Sequence, residues 1–316
     1  RSPTSSVARG LDSPCLAGYS GASGCGKERG NNMINVTPSG EACGAVVTGL
    51  DLSQPQSTDT IQEIREAWLE HHVLAFPNQQ LTDEDLVRVT DYFGSVGDDP
   101  YFVPINKKTP VVALTRRADE QAPVFAENWH TDWSFKKHPP IGTCLYSLVV
   151  PPIGGNTGFA NQQMALAQMP DELRQRLENK VALHSAAAAY GPQGTYGEKD
   201  QGNDRSMKIL FSDQANKSEP HPIIAKHPES GIETVFGTVG YIHTIVDMTQ
   251  EDSQQLVMDL YAWQTREEFQ YTHVWETNML VMWDNRSVLH RANGGYDGYD
   301  RELHRLTIAG NAALSL

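Results

Sequence analysis

The sequence contains no long hydrophobic run. Its longest apolar stretches, residues 145–150 and 279–283, fall far short of the roughly 18 residues that cross a bilayer as a helix. No transmembrane helix is therefore expected. Cysteine is scarce: Cys15, Cys25, Cys43 and Cys144 are the only four in 316 residues. None is in CxxC spacing, which argues against a disulfide scaffold or a thiolate metal site and favours a reducing, cytoplasmic compartment. Basic clusters are also missing. With 25 Lys+Arg against 39 Asp+Glu, the formal charge is −14, which would repel phosphate backbones and anionic lipid, so neither nucleic acid nor membrane is an expected partner. Residues 1–32, rich in Gly, Ser and Asn, have no apolar periodicity and no signal-peptide core. They read as a flexible N-terminal tail or extension, with Met33 as a natural start and residues 33–316 as a single domain.

A chain of this length can bury a full core. Ser57 or Thr58 caps a helix carrying Ile61, Ile64, Trp68 and Leu69 on one face, and residues 73–76 before Pro77 read as a buried strand. Thr82 and Asp85 form a capping-box start for a second helix with Leu86, Val89 and Phe93 on one stripe, ended by Gly94. Asn161 and Pro170 begin two short helices, and Thr249 with Asp252 begins one carrying Leu256, Val257 and Leu260. Residues 142–150, 223–225, 234–236, 279–283 and 306–309 are short, β-rich and separated by Pro/Gly turns. The pattern predicts a β-rich α+β domain, a sandwich or barrel with flanking helices.

The first chemical signal is Asn128-Trp129-His130-Thr131-Asp132. In extended chain, residues i and i+2 point the same way, so the His130 imidazole and the Asp132 carboxylate can reach a common point. An HxD pair alone is weak evidence in a chain with 11 histidines. A distant second histidine, His290 in Trp283-Asp284-Asn285-Arg286-Ser287-Val288-Leu289-His290, would complete a 2-His-1-carboxylate facial triad, which leaves positions open on a metal.

At this point the chain resembles the taurine dioxygenase (TauD/TfdA) family of Fe(II)/2-oxoglutarate-dependent dioxygenases. The resemblance runs from GAVVTGLDLS and VLAFPNQQLT through NWHTD, VVPPIGGNTGFAN, HPIIAKHPESG and GYIHTIVDMT to WDNRSVLHRA and RELHRLTIAG. It implies a double-stranded β-helix (a distorted jelly roll, clavaminate synthase-like) and iron ligands at His130, Asp132 and His290. Arg301 and Thr157 match residues that hold the far carboxylate of 2-oxoglutarate. Arg305 matches a second arginine that meets either substrate or the inner carboxylate. The implied reaction consumes O2 and 2-oxoglutarate, releases succinate and CO2, and hydroxylates a C–H bond of a small molecule. Homo-oligomers, dimers or tetramers, are implied as well.

The substrate positions depart from the taurine pattern. Asp99 stands where those enzymes carry a sulfonate-binding histidine, Phe102 where they carry a tyrosine, and Ala126 where they carry an asparagine. Taurine itself is therefore not the expected substrate. The expected substrate contacts are Asp99, Tyr101, Phe102, Tyr241 and Arg305, with Asp99 either facing an amine or hydroxyl or solvated in its Gly-Asp-Asp-Pro turn. The pair His71-His72 is expected to meet helix-end carbonyls, while His221 and His227, each followed by Pro, read as turn elements. Two other functions share the ligands: a catalytically silent cupin-like binding protein, and a metal-dependent hydrolase or isomerase using Zn²⁺. Arg301 and Thr157 argue against both.

Overall fold

The structure is a computed structural model that describes residues 34–311 and Ser315. The tail expected over residues 1–32, and Met33, lie outside the described residues. Among the described residues, no helix is long and apolar enough to cross a membrane.

The architecture is mixed sheet with helices on its outer face. The largest sheet has seven strands in the order Asn35–Pro38, Ala45–Thr48, Val73–Phe76, Leu280–Asp284, Gly142–Val149, Arg301–Ile308, Val112–Arg116. All its neighbours are antiparallel except the second and third. A smaller sheet places Thr157–Asn161 between Gln270–His273 and Val288–Ala292. A third joins Ile242–Ile245, Val181–Ser185 and Ser218–Pro222, and a short pair joins Ile224–Lys226 to Glu233–Val235.

Strand alternation divides the large sheet into two apolar faces. Leu74, Phe76, Cys144, Tyr146, Leu280 and Met282 pack outward against Trp68, Leu86 and Val89 of the two N-terminal helices and against Phe93, which lies just past the end of the second rather than on its stripe. Those helices, Thr58–His71 and Asp83–Asp91, start as expected. Ser57 Oγ accepts from Thr60 N–H at 3.1 Å, and Thr82 and Asp85 cap each other at 3.2 and 3.0 Å. The alternate residues Val73, Ala75, Leu145, Val281, Trp283 and Leu303 point inward and meet Phe159 and Val288 of the smaller sheet. The space between the two sheets is thus a core at one end; Arg301 and Arg305, which share the inward parity of Leu303, bring charge to it.

Two expectations need correction. The last long strand begins at Arg301, not at Leu306. Its polar Arg-Glu-Leu-His-Arg stretch masks the alternation, yet Arg301, Leu303 and Arg305 are buried while Glu302 and His304 are half-buried. His72, in turn, does not cap the first helix with its ring. Its backbone is left-handed (φ 63°), and its N–H donates to Trp68 O at 2.8 Å.

The connection from the large sheet to the smaller one runs through Asp284-Asn285-Arg286-Ser287, and a buried charge cluster holds it. Asp284 Oδ1 accepts from Arg286 N and Nε, both at 2.8 Å, and Oδ2 from Arg286 Nη2 at 2.6 Å. His227 Nε2 adds a contact at 3.0 Å. Burial opposes ionisation of Asp284, but Arg286 and His227 overcome it and hold the carboxyl well below the ordinary range. This stabilisation is present above the ordinary carboxyl value of 3.8 and is lost as pH falls through the depressed folded value. Asp284→Asn is expected to cost about 3 to 5 kcal/mol, because it strands the buried guanidinium. Urea denaturation should report that loss at neutral pH, with the difference from wild type shrinking as the solution is acidified.

Candidate metal centre and adjoining cavity

His130 lies in an isolated bridge rather than in a strand. Its N–H donates to His290 O at 3.0 Å and the His290 N–H donates back to His130 O at 2.8 Å. This reciprocal pair places the two side chains directly opposite on one face, with ring centroids 4.2 Å apart. Asp132 follows at the start of a turn. The three ligating atoms lie within 4.8 Å of one another, with the Asp132 oxygens 3.9 Å from His130 Nε2 and 3.7 Å from His290 Nε2.

The protonation states suit a cation. His130 Nδ1 donates to Asn128 O at 2.8 Å, which leaves Nε2 with its lone pair. Burial lowers both imidazoles and so favours the neutral form, the one that can offer a lone pair to a cation. Burial also works against the Asp132 carboxylate, but Arg305, the two imidazoles and Thr143 outweigh it and hold the carboxyl far below its usual value. His290 Nδ1 is buried and has no hydrogen-bond partner among the described residues. The donor set of two neutral nitrogens and one carboxylate, with one face open to a cavity, matches the geometry of a facial-triad metal site.

A second layer orients Asp132. Thr143 Oγ1 donates to Asp132 Oδ2 at 2.6 Å and accepts from Asn285 Nδ2 at 3.0 Å. Asn285 Oδ1 accepts from Trp283 Nε1 at 2.9 Å, and its carbonyl accepts from Thr131 Oγ1 at 2.7 Å. Sequence reading passed over Thr143 and Asn285. Thr143 sits in a strand-forming run and its partner is 142 residues away; only the neighbouring WDN motif hinted at it.

The cavity beside the triad is lined by His130, Asp132, His290, Thr157, Arg301 and Arg305. Its apolar wall is Phe102, Leu114, Phe125, Trp133, Tyr190 and Met207. Of the expected substrate contacts, Phe102 and Arg305 are on this wall. Tyr101 stands behind it, stacked on Tyr190 at 4.2 Å. Tyr241 lines an adjoining groove and packs edge-on against Phe135 at 5.1 Å. Asp99 is neither solvated nor on the wall: its side chain is 4% exposed and contacts Trp133 Nε1 and Arg305. His243, two residues beyond Tyr241, is exposed and lies off its wall.

The charges around the cavity are unevenly compensated. Arg116 meets Glu120 at 3.3 Å and Asp297 at 3.6 Å, and Arg205 takes both oxygens of Asp200 at 3.0 and 3.1 Å. Arg305 lies 3.0 Å from Asp132 and 3.4 Å from Asp99. Arg301 differs. It is buried, its charge is disfavoured by that burial, and its one charge-related neighbour is the phenol of Tyr296. Among the described residues it forms no ion pair. A buried guanidinium without a carboxylate is costly unless an anionic ligand supplies one. Thr157 Oγ1, on the same cavity, accepts from Trp275 Nε1 at 3.0 Å and so keeps its own proton to donate.

The family model described as "Taurine catabolism dioxygenase TauD, TfdA family" matches residues 35–307. An alkylsulfatase of Acinetobacter baylyi is 34% identical over 269 residues, covering 84% of this chain and 82% of that one. An alpha-ketoglutarate-dependent sulfate ester dioxygenase of Pseudomonas putida is 28% identical over 286 residues, covering 90% and 92%. The crystal structure of a taurine dioxygenase from Burkholderia xenovorans superimposes with a TM-score of 0.72 at 27% identity, covering 88% of this chain and 90% of that one.

The outer layer predicts a graded effect. Thr143→Val keeps the three ligands but frees Asp132 from its hydroxyl donor, and should weaken metal affinity by about 10-fold or more. Titration with Co²⁺, read by its d–d absorption, checks this. Unchanged affinity in the folded variant would show that Arg305 alone orients the carboxylate.

Proposed function

Given that the chain belongs to the TauD, TfdA family and is a 2-oxoglutarate-dependent dioxygenase, we propose that it hydroxylates a C–H bond of a small organic substrate with an apolar body. His130, Asp132 and His290 would hold Fe(II), and Arg301 with Thr157 would hold the far carboxylate of 2-oxoglutarate. The observation that carries this reading is the buried, carboxylate-free Arg301 on the same cavity as the ligand cluster. Bound Fe(II) supplies the redox centre at which O2 and 2-oxoglutarate are consumed, succinate and CO2 are released, and the substrate C–H bond is oxidised.

The protein's own part is positioning and the exclusion of water. The planar fork of Arg301 suits a bidentate carboxylate better than an ammonium would, and the Thr157 hydroxyl adds a second donor. Arg305 and Thr143 keep Asp132 ionised and fixed in orientation. The wall from Phe102 to Met207 offers apolar surface for the substrate body and leaves little room for water near the reacting bond. Two facing sheets around the site support the double-stranded β-helix as the fold. A reducing compartment suits Cys43 and Cys144, both buried and unpaired; burial pushes the Cys144 thiol up to about 12.

Taurine is not the substrate proposed, since the wall is apolar and a carboxylate, Asp99, stands behind it. Anaerobic titration of Fe(II) protein with 2-oxoglutarate tests the reading. A weak visible chelate band near about 500 nm is expected in wild type and should be lost in His130→Ala. In Arg301→Ala the 2-oxoglutarate concentration for half-maximal band should rise at least about 30-fold, the loss of a buried charge-assisted pair. A folded, metal-loaded protein that forms no band would overturn the proposal.

A further inference from the structure

A cavity arginine ordinarily anchors an anion, but Arg305 is already engaged. Its Nη2 lies 3.0 Å from Asp132 Oδ1, and its Nε and Nη2 each lie 3.4 Å from Asp99 Oδ1. Its guanidinium lies beside the touching rings of Phe102 and Trp133, 5.7 and 5.5 Å from their centres. Asp132, the nearer partner, belongs to the ligand cluster; Asp99 is the second carboxylate available to balance Arg305.

Asp99 is well placed for that task. Although it sits in a Gly-Asp-Asp-Pro turn, its side chain is 4% exposed, and the same oxygen that faces Arg305 accepts the Trp133 indole N–H at 2.6 Å. Both polar partners donate to this one oxygen; burial raises the carboxyl above its ordinary value, while Arg305 and the indole N–H act against that shift and favour the charged form. Trp133 itself has a left-handed backbone (φ 47°), one residue after Asp132, and it lines the cavity. Indole, carboxylate and guanidinium thus form one buried unit, with Trp133 and Arg305 on the cavity wall and Asp99 behind them. Arg116 and Arg205 are matched by their own carboxylates, so neither offers a spare charge in place of Arg305.

We propose that Asp99 is a specificity-determining residue, which neutralises Arg305 from behind the wall and so selects substrates whose end at this position is uncharged. An ether, ester, ketone or alcohol oxygen can still accept from Arg305 Nη1, which takes part in none of these contacts. A sulfate, sulfonate or carboxylate at the same place would meet a guanidinium whose charge is spent and a carboxylate close behind it. The inference rests on the reading of the cavity as a substrate site, and it narrows that reading to a substrate class.

The test uses protein loaded anaerobically with Fe(II) and 2-oxoglutarate, titrated calorimetrically with benzenesulfonate and with its uncharged analogue, methyl phenyl sulfone. Formation of the visible chelate band before titration checks the reaction class independently of Asp99. Wild type is expected to bind the sulfone at least as tightly as the sulfonate. Asp99→Asn should tighten benzenesulfonate about 10-fold or more while leaving the sulfone within about twofold. The gain should vanish in the Asp99→Asn, Arg305→Gln double variant, which separates released charge from a loosened pocket. A wild-type preference for the sulfonate of about tenfold overturns the inference without any variant. So does the absence of a sulfonate gain in Asp99→Asn, or a gain that survives loss of Arg305. Should Asp99→Asn not fold, Asp99→Ser makes the same comparison.

Discussion

A carboxylate buried between two sheets stays ionised only if its surroundings replace water, and Asp132 is such a group. Its side chain is 5% exposed. Left alone it would take up a proton and cease to be a metal ligand. Arg305 at 3.0 Å and the Thr143 hydroxyl at 2.6 Å prevent this. Each is itself held in place: Thr143 by Asn285, and Arg305 by Asp99 and two aromatic faces. Thr143 and Arg305 come from adjacent strands of the large sheet, whereas Asn285, Asp99, Phe102 and Trp133 come from the segments between strands. The wiring therefore depends on the register of that sheet and on the connections packed against it.

The same constraint explains the division of labour among the arginines. Arg301 and Arg305 are four residues apart on one strand and share its inward face. At that spacing they are about 13 Å apart along the strand, far enough for one to serve the metal ligand and the other a separate anion. Arg305 is saturated with carboxylate while Arg301 has none. A protein that buries a cation without a partner gives up stability for a binding site. The unpaired arginine is thus the clearer functional signal of the two, although both look alike in sequence.

Much of this was legible in the sequence, and what was missed shares a physical cause. Capping residues act locally, so Ser57, Thr82, Asn161 and Thr249 announced their helices correctly. The triad was legible because its three ligands sit in distinctive motifs. Residues 73–76 and 279–283 were legible as strands because they are continuously apolar and buried on both faces. Residues 301–305 were not, since their inward positions are arginines and not aliphatic side chains. The substrate wall was the least legible part. Leu114 lies on an edge strand that no pattern flagged, Phe125 and Met207 come from irregular segments, and Tyr190 ends the one-turn helix Ala187–Tyr190. Loop residues converge through tertiary packing, for which local periodicity carries no trace.

Asp99 illustrates why position in a turn does not determine role. Gly97-Asp98-Asp99-Pro100 reads as a solvent-exposed turn, and Asp98 behaves as one: its side chain is 84% exposed and pairs with Lys136. Its neighbour is buried and reaches the Trp133 indole and Arg305 instead of water. Adjacent residues of one turn thus divide into a solvated carboxylate and a buried one, a difference that turn composition does not carry and only the packing around it decides.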